Sequence, residues 1–122
     1  LRNSLVIFPI KLIYVAGPIN AATAEEVAVN IDRGRQAGVE IWQLGAVAVV
    51  PHLNTLNMYS HDHVPKADIY LGDLEILKRC DAMLLLDGWE SSQGVNYEVA
   101  WAKHRKIPIF HDLDELRKWL NL

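Results

Sequence analysis

Leu12-Ile-Tyr-Val-Ala-Gly-Pro-Ile-Asn-Ala-Ala-Thr-Ala-Glu-Glu26 is the stretch on which the fold turns. Leu12–Ala16 is a short continuous apolar run, the signature of a strand buried on both faces. Gly17-Pro18 stops it with a turn. Thr23 and Glu26 then have capping-box spacing, the hydroxyl free to cap and the carboxylate free to reach back. The pattern predicts a helix running to about Leu44. Gly34 and Gly38 weaken it locally, and Gly45 ends it. A buried strand passing through a glycine turn into a helix is the opening of a parallel βαβ unit.

Reading outward from this stretch, the alternation repeats. Ala46–Val50 is a second strand closed by Pro51, followed by a polar loop from His52 to about Lys66. A second helix is predicted from about Ala67 to Arg79 and a third strand over Ala82–Leu86. The loop Asp87–Gln93 leads to a third helix starting near Gly94 or Val95 and ending near Arg105. Ile107–Phe110 is a fourth strand, and Asp112 caps a last helix reaching Leu120. The order predicts a single-domain α/β fold, a parallel sheet with right-handed crossovers and helices on both faces. At the other end, Leu5 to Ala16 behind Arg2 has the look of a signal peptide. Pro9 and Lys11 interrupt it, and it is too short to span a bilayer. Lys11–Ala16 is therefore read as the first strand. Residues 1–10 are an extension of unknown role ahead of a domain over 11–122.

The 122 residues are 51% hydrophobic, enough for one ordinary core. Twelve basic against 15 acidic residues leave a formal net charge of -3, with no basic stripe. A nucleic-acid polymer is thus disfavoured as a partner, and nothing calls for a membrane. A small nucleotide stays open, because backbone amides and helix N-termini bind phosphate without net positive charge. Cys80 is the single cysteine, which rules out an intrachain disulfide and fits a reducing, cytoplasmic setting. It reads as a small buried apolar side chain.

Ligands of parallel α/β sheets bind beyond the carboxyl ends of the strands. That rule selects Tyr14 to Asn20, Pro51 to Asn54 and Asp87 to Glu98. In the last of these, Gly88 and Gly94 allow a tight loop with amides facing a ligand, and Ser91 and Ser92 add hydroxyls. Glu98 falls in the first turn of the predicted helix, where the dipole favours its ionised form. An ionised carboxylate beside a sugar can attack an anomeric carbon; the plainer reading is an ordinary first-turn glutamate. Asp73 lies mid-helix, where Asp is usually a solvated surface residue, yet it has the chemistry of an acid partner for Glu98. Tyr14 is either core or a hydroxyl that orients a carboxylate. Gly17, Pro18, Ile19 and Asn20 form the strand-to-helix turn where amides face phosphate or sugar. His52, after a strand end, is a ligand contact by position. Trp89, in the same loop as Ser92, either stacks on a base or packs. His61-Asp62-His63 fits no standard zinc spacing, and a solvated loop is the better reading. Walker A, Gly-x-Gly-x-x-Gly and Gly-x-Ser-x-Gly sequences are all missing, so ATPase, dinucleotide and α/β-hydrolase readings lose their support.

Ser92-Gln-Gly-Val-Asn-Tyr-Glu98 resembles the catalytic motif of the nucleoside 2-deoxyribosyltransferase superfamily, most nearly that of the 2'-deoxynucleoside 5'-monophosphate N-hydrolases. Asp73-Leu-Glu-Ile-Leu-Lys-Arg-Cys-Asp81 is similar to the helix carrying that family's second carboxylate. Leu12–Ile19 looks like its first strand and turn, and Val49-Val-Pro-His52 like its second strand end. The likeness covers about Lys11 to Phe110. It implies a flavodoxin-like three-layer fold with a parallel sheet of four to five strands. It implies Glu98 as the nucleophile at C1' of the sugar, Asp73 as general acid for the leaving base and Tyr14 as the holder of the nucleophile. Ser92 would bind a 5'-phosphate where deoxyribosyltransferases carry an acidic residue, which favours a nucleotide over a nucleoside. Members are homodimers or larger, a neighbouring subunit completing the site, and no cofactor or metal is implied. Asn20 departs from the hydrolases, which tend to have a basic residue there. Gly88-Trp-Glu-Ser91 looks more like an uncharacterised phage- or prophage-associated branch.

The sequence thus points to an enzyme acting on the N-glycosidic bond of a nucleotide or nucleoside. A second hypothesis is a non-catalytic nucleotide-binding or sensor domain on the same fold. An interaction module with no small ligand is a third, but it leaves the Gly- and Ser-rich loop beside Glu98 unexplained.

Overall fold

Thr23 caps the first helix as its spacing predicts: its hydroxyl accepts the Glu26 N–H at 3.1 Å. In the computed structural model, which describes residues 4–56, 58 and 64–120, that helix is α1, Ala24–Gln43. It follows β1, Leu12–Ala16. Gly45, at a φ of 95°, turns the chain into β2, Val47–Val49. Next come α3, Lys66–Lys78, β3, Ala82–Leu85, α4, Gln93–His104, β4, Ile109–Phe110, and α5, Leu113–Trp119. Asp112 caps α5 through the Glu115 N–H at 2.8 Å.

Two expectations are corrected. The start of the predicted loop after β2 is a single helical turn, α2, Pro51–Asn54. Pro51 opens it, since a proline's fixed φ is preorganised for the first helical position. Helix α4 begins at Gln93, because the Ser92 hydroxyl caps it by accepting the Val95 N–H at 3.3 Å. Glu98 therefore lies in the second turn of α4, not the first. The dipole argument for its ionisation weakens accordingly, since that field falls off within the first turn. β1 spans its apolar run, whereas the other three strands are one or two residues shorter than theirs, their ends leaving the ladder.

All strands pair in parallel in the order β2-β1-β3-β4. Tyr14 is opposite Val49 on one side and Met83 on the other. Because successive residues of β1 point to opposite faces, one strand feeds two cores. Ile13 and Val15 pack with Ala37, Ile41, Ala82, Leu84 and Leu116 under α1 and α5. Tyr14 and Ala16 pack with Leu77, Met83, Leu85, Val95, Val99 and Ala102 under α3 and α4. This is a three-layer, flavodoxin-like sandwich. Its strand order reverses between β1 and β3, which marks where a ligand would bind.

Gly34 and Gly38 explain themselves here. A Cβ at Gly34 would stand 2.9 Å from the His52 ring, and one at Gly38 would stand 2.8 Å from Val50 Cγ2. The bare backbone of α1 lets the end of β2 and α2 lie against it. Ahead of β1, residues 4–10 run without regular structure, and Ile7 N–H donates to the Gly45 carbonyl at 2.9 Å. Among the described residues, no helix is long and apolar enough to cross a membrane.

Candidate active site

A cavity of about 690 Å³ opens at the carboxyl ends of β1 and β3. Its walls are Val15 to Asn20, at the end of β1 and in the turn after it, Pro51 and His52 of α2, the inner stripe of α3 and the first turns of α4. Lys66, Tyr70 and Asp73 follow one another at i, i+4 and i+7 on α3 and all reach the cavity. Glu98 faces it from α4.

Tyr14, fully buried on β1, donates its hydroxyl proton to Glu98 Oε2. This bond joins the centre of the sheet to α4 across 84 residues of sequence. Burial is the largest influence on Glu98 and pushes its carboxyl up to about 7. The Tyr14 hydrogen bond acts the other way, and the charge of Asp73 adds to the rise. Burial likewise raises Asp73 to about 6. Asp73 is thus half-buried on a cavity wall, not the solvated mid-helix residue of the plainer reading. The Tyr14 phenol is raised far above its ordinary value, by burial first and by Glu98 second, so it stays a donor. Two carboxyl groups of elevated pKa thus face one cavity, an arrangement that can hold a proton near neutral pH.

The turn after β1 is held from outside. His52 Nε2 lies 3.4 Å from the Pro18 carbonyl, and Asn30 of α1 donates to the Ile19 carbonyl at 3.1 Å. His52 is 5% exposed, and burial lowers its pKa, so it is a neutral ring at the cavity edge. Its Nδ1 is buried with no partner among the described residues. Gly17 is needed for close approach, since a Cβ there would meet the Leu86 side chain at 2.9 Å.

On the opposite wall the serines are engaged locally. Ser91 donates to the Gly88 carbonyl at 3.1 Å, and Ser92 caps α4. Asn96 ties the loop down by donating to the Glu90 and Ser92 carbonyls at 3.0 and 2.8 Å. Of the positions singled out in the sequence, the cavity gathers Glu98, Asp73, Gly17, Pro18, Ile19, Asn20, His52, Ser92 and Gly94, with Tyr14 behind Glu98. It does not gather Asp87 or Trp89. Trp89 packs against the core under α3 and α4. Asp87 lies over a separate depression with Arg33 and His111, and its carbonyl accepts from Arg33 at 3.1 Å. Their loop carries them off the cavity because Gly88, at a φ of 85°, turns the chain between them. Lys66, Tyr70 and Tyr97 are cavity residues that the sequence reading missed. Their signal was present: Lys66 and Tyr70 share the α3 stripe with Asp73, and Tyr97 adjoins Glu98. His61-Asp62-His63 lies outside the described residues.

A parallel β2-β1-β3-β4 sheet between helical layers, with a paired-carboxyl cavity at its switch point, defines the molecule as a flavodoxin-like α/β protein. Residues 11–111 match the family described as "Domain of unknown function (DUF4406)", and the chain belongs to that family. A solved structure of a 2-deoxyribosyltransferase from the psychrotolerant bacterium Bacillus psychrosaccharolyticus is similar in fold. Its TM-score is 0.63 at 19% identity, over 80% of this chain and 69% of that one. No curated protein matches the chain.

Proposed function

We propose that this chain is an enzyme that cleaves the bond between the base and C1' of a nucleoside or nucleoside 5'-monophosphate, through a covalent glycosyl-Glu98 intermediate. The observation that carries this reading is the pairing of Glu98 and Asp73 on one cavity, with the Tyr14 hydroxyl on the Glu98 carboxylate. The fold shared with a 2-deoxyribosyltransferase supports it, as does the Ser92-to-Glu98 motif, which resembles that superfamily's catalytic motif.

In the first step a Glu98 carboxylate oxygen bonds to C1', the C1'–N bond breaks, and its electron pair leaves with the base. Asp73 gives its proton to the departing nitrogen. In the second step water attacks C1', Asp73 takes the proton, and the Glu98–C1' bond breaks. Water as acceptor makes a hydrolase, and a second base makes a transferase. Tyr14 stabilises the carboxylate form of Glu98 before attack. The reactive state holds one proton in the pair, on Asp73. With Glu98 raised to about 7 and Asp73 to about 6, most one-proton molecules hold it on Glu98 instead. Turnover follows the smaller share and traces a bell against pH. Lys66 offers the cavity an ammonium for a 5'-phosphate, and the Ser92 hydroxyl keeps its proton to donate while it caps α4. A homo-oligomer with a completed site belongs to the same reading.

The test is release of free base from a panel of ribo- and deoxyribonucleosides and their 5'-monophosphates, with and without an acceptor base, followed by chromatography. Glu98→Ala is expected to lower release by at least about a thousandfold, as loss of a covalent nucleophile does, with the fold intact by circular dichroism. Release that persists in the variant would sink the Glu98 mechanism. Melting shifts with a nucleotide but no release from any substrate would replace the enzyme by a binding domain.

A further inference from the structure

Glu98 and Asp73 stand on different helices, so their separation is only as fixed as α4 is fixed to α3. Backbone hydrogen bonds do not run between helices. The apolar packing of Leu77, Val95 and Val99 holds the two together but has little direction of its own. Tyr70 supplies direction. Its hydroxyl donates to the Gly94 carbonyl at 3.2 Å, a side-chain bond from α3 to α4. That carbonyl is the one to which the helical i→i−4 pattern assigns the Glu98 N–H. Tyr70 thus grips the backbone of α4 at the acceptor of Glu98 itself. On its own helix it precedes Asp73 by three residues, on the same face.

The local packing fits this role. Gly94 has no side chain, and a Cβ built there would lie 3.8 Å from Tyr70 Cε2, so the ring runs close along the start of α4. The Tyr97 ring meets the Tyr70 ring edge-on, with centroids 6.3 Å apart and planes at 68°, an arrangement aromatic pairs prefer. Burial, together with the charges of Glu98 and Asp73, raises the phenol to about 12. It therefore remains a donor throughout the range in which the carboxyls titrate.

We infer that Tyr70 is a positioning residue that sets the approach of Asp73 to Glu98 through its bond to the Gly94 carbonyl. This inference rests on the N-glycosidase reading for its kinetic consequence but not for its structural one. The hydroxyl is not needed to satisfy Gly94, which keeps its helical partner, so its removal leaves the fold standing.

The experiment is Tyr70→Phe, read in two independent ways. In base release, kcat is expected to fall roughly ten- to a hundredfold, the range that misplacement on an ångström scale carries, with KM little changed. The bell of kcat against pH narrows, because carboxyls that drift apart couple less and their two apparent pKa values move together. In NMR titration of the side-chain carboxyl carbons, which needs no turnover, the Glu98 midpoint moves down as the influence of Asp73 on it weakens. Unchanged kcat with an unchanged midpoint would overturn the inference. A loss of melting temperature and activity with the bell and midpoint unmoved would also overturn it, leaving Tyr70 a merely structural residue. If the wild-type protein releases no base, the N-glycosidase reading fails on its own, and the midpoint still decides whether Tyr70 couples the two carboxyls.

Discussion

On the α1–α5 face of the sheet, β1 contributes Ile13 and Val15 to a cluster with Ile41, Ala82, Leu84 and Leu116. On the α3–α4 face the same strand contributes Tyr14 and Ala16, with Leu77, Met83, Leu85, Val95 and Val99. Both clusters exclude water, but the second has a hydroxyl at its centre that reaches a carboxylate on its far side. The period-two alternation of a strand thus divides labour within five residues. One face is dry and serves stability, and the other places a donor where a titrating group needs it. The helices that roof the second face are also the ones that carry Asp73 and Glu98, so packing and chemistry share parts there.

The strongest test of that division deletes equal amounts of core from each side. Leu77 and Leu116 are both fully buried. Leu77→Ala and Leu116→Ala are each expected to cost about 2–5 kcal/mol in urea unfolding, the lost transfer energy plus the cavity left behind. Their effect on activity should differ. Leu77→Ala loosens α3 beneath Asp73 and lowers turnover per folded molecule, whereas Leu116→Ala leaves it near wild type. Equal losses from both would erase the distinction between the faces.

A second expectation concerns proton linkage. Glu98 and Asp73 have folded pKa values of about 7 and about 6, above their ordinary 4.5 and 3.8. A raised carboxyl contributes stability that is complete below its unfolded pKa and is lost as pH rises through the folded value. The pair should therefore lower the urea midpoint from about pH 5 to about pH 8. His52, its pKa lowered by burial from 6.5, works the other way. The pair's share is the part of the pH dependence that Glu98→Gln removes. Tyr14→Phe removes the bond that lowers the Glu98 pKa, so the fall should steepen and turnover at neutral pH should drop. A pH dependence of the midpoint that Glu98→Gln leaves unchanged would show that the pair does not titrate over this interval, and the second face would be no different electrostatically from the first.

The smallest effect is the most diagnostic of sign. Replacing a helix-interior glycine by alanine normally stabilises by about 1 kcal/mol. At Gly34 the added carbon meets the His52 ring at 2.9 Å, and a ring packed against helix backbone has little room to yield. Gly34→Ala is expected to lower the melting temperature in calorimetry. A rise would mean that His52 does not need its place against α1.

Most of the frame was legible because its signals are local. The Leu12–Ala16 run, the Thr23 cap, Gly45 and the Asp112 cap each act within a few residues, and each appears where its chemistry requires. The start of α4 was misplaced because Ser92 was read as a ligand group, and its capping of the Val95 N–H was overlooked. That error moved Glu98 into the dipole's reach. Tyr14, Asp73 and Glu98 were legible as types, from their positions and a family resemblance, but their meeting depends on the β1–β3 pairing and α3–α4 packing. Asp87 and Trp89 were over-read, since lying on a loop beside the strand ends does not decide which way the loop turns. Tyr70 and Lys66 were under-read, since a helical stripe becomes visible only once one of its members is known to face a cavity.

Ser92 Oγ carries one hydrogen and two lone pairs. One lone pair holds the Val95 N–H and so begins the helix on which Glu98 rides. Ser92 also lines the cavity. A guest that accepted the hydroxyl hydrogen would enrich that same oxygen, because hydrogen bonds in series polarise one another, and so would tighten the first turn of α4.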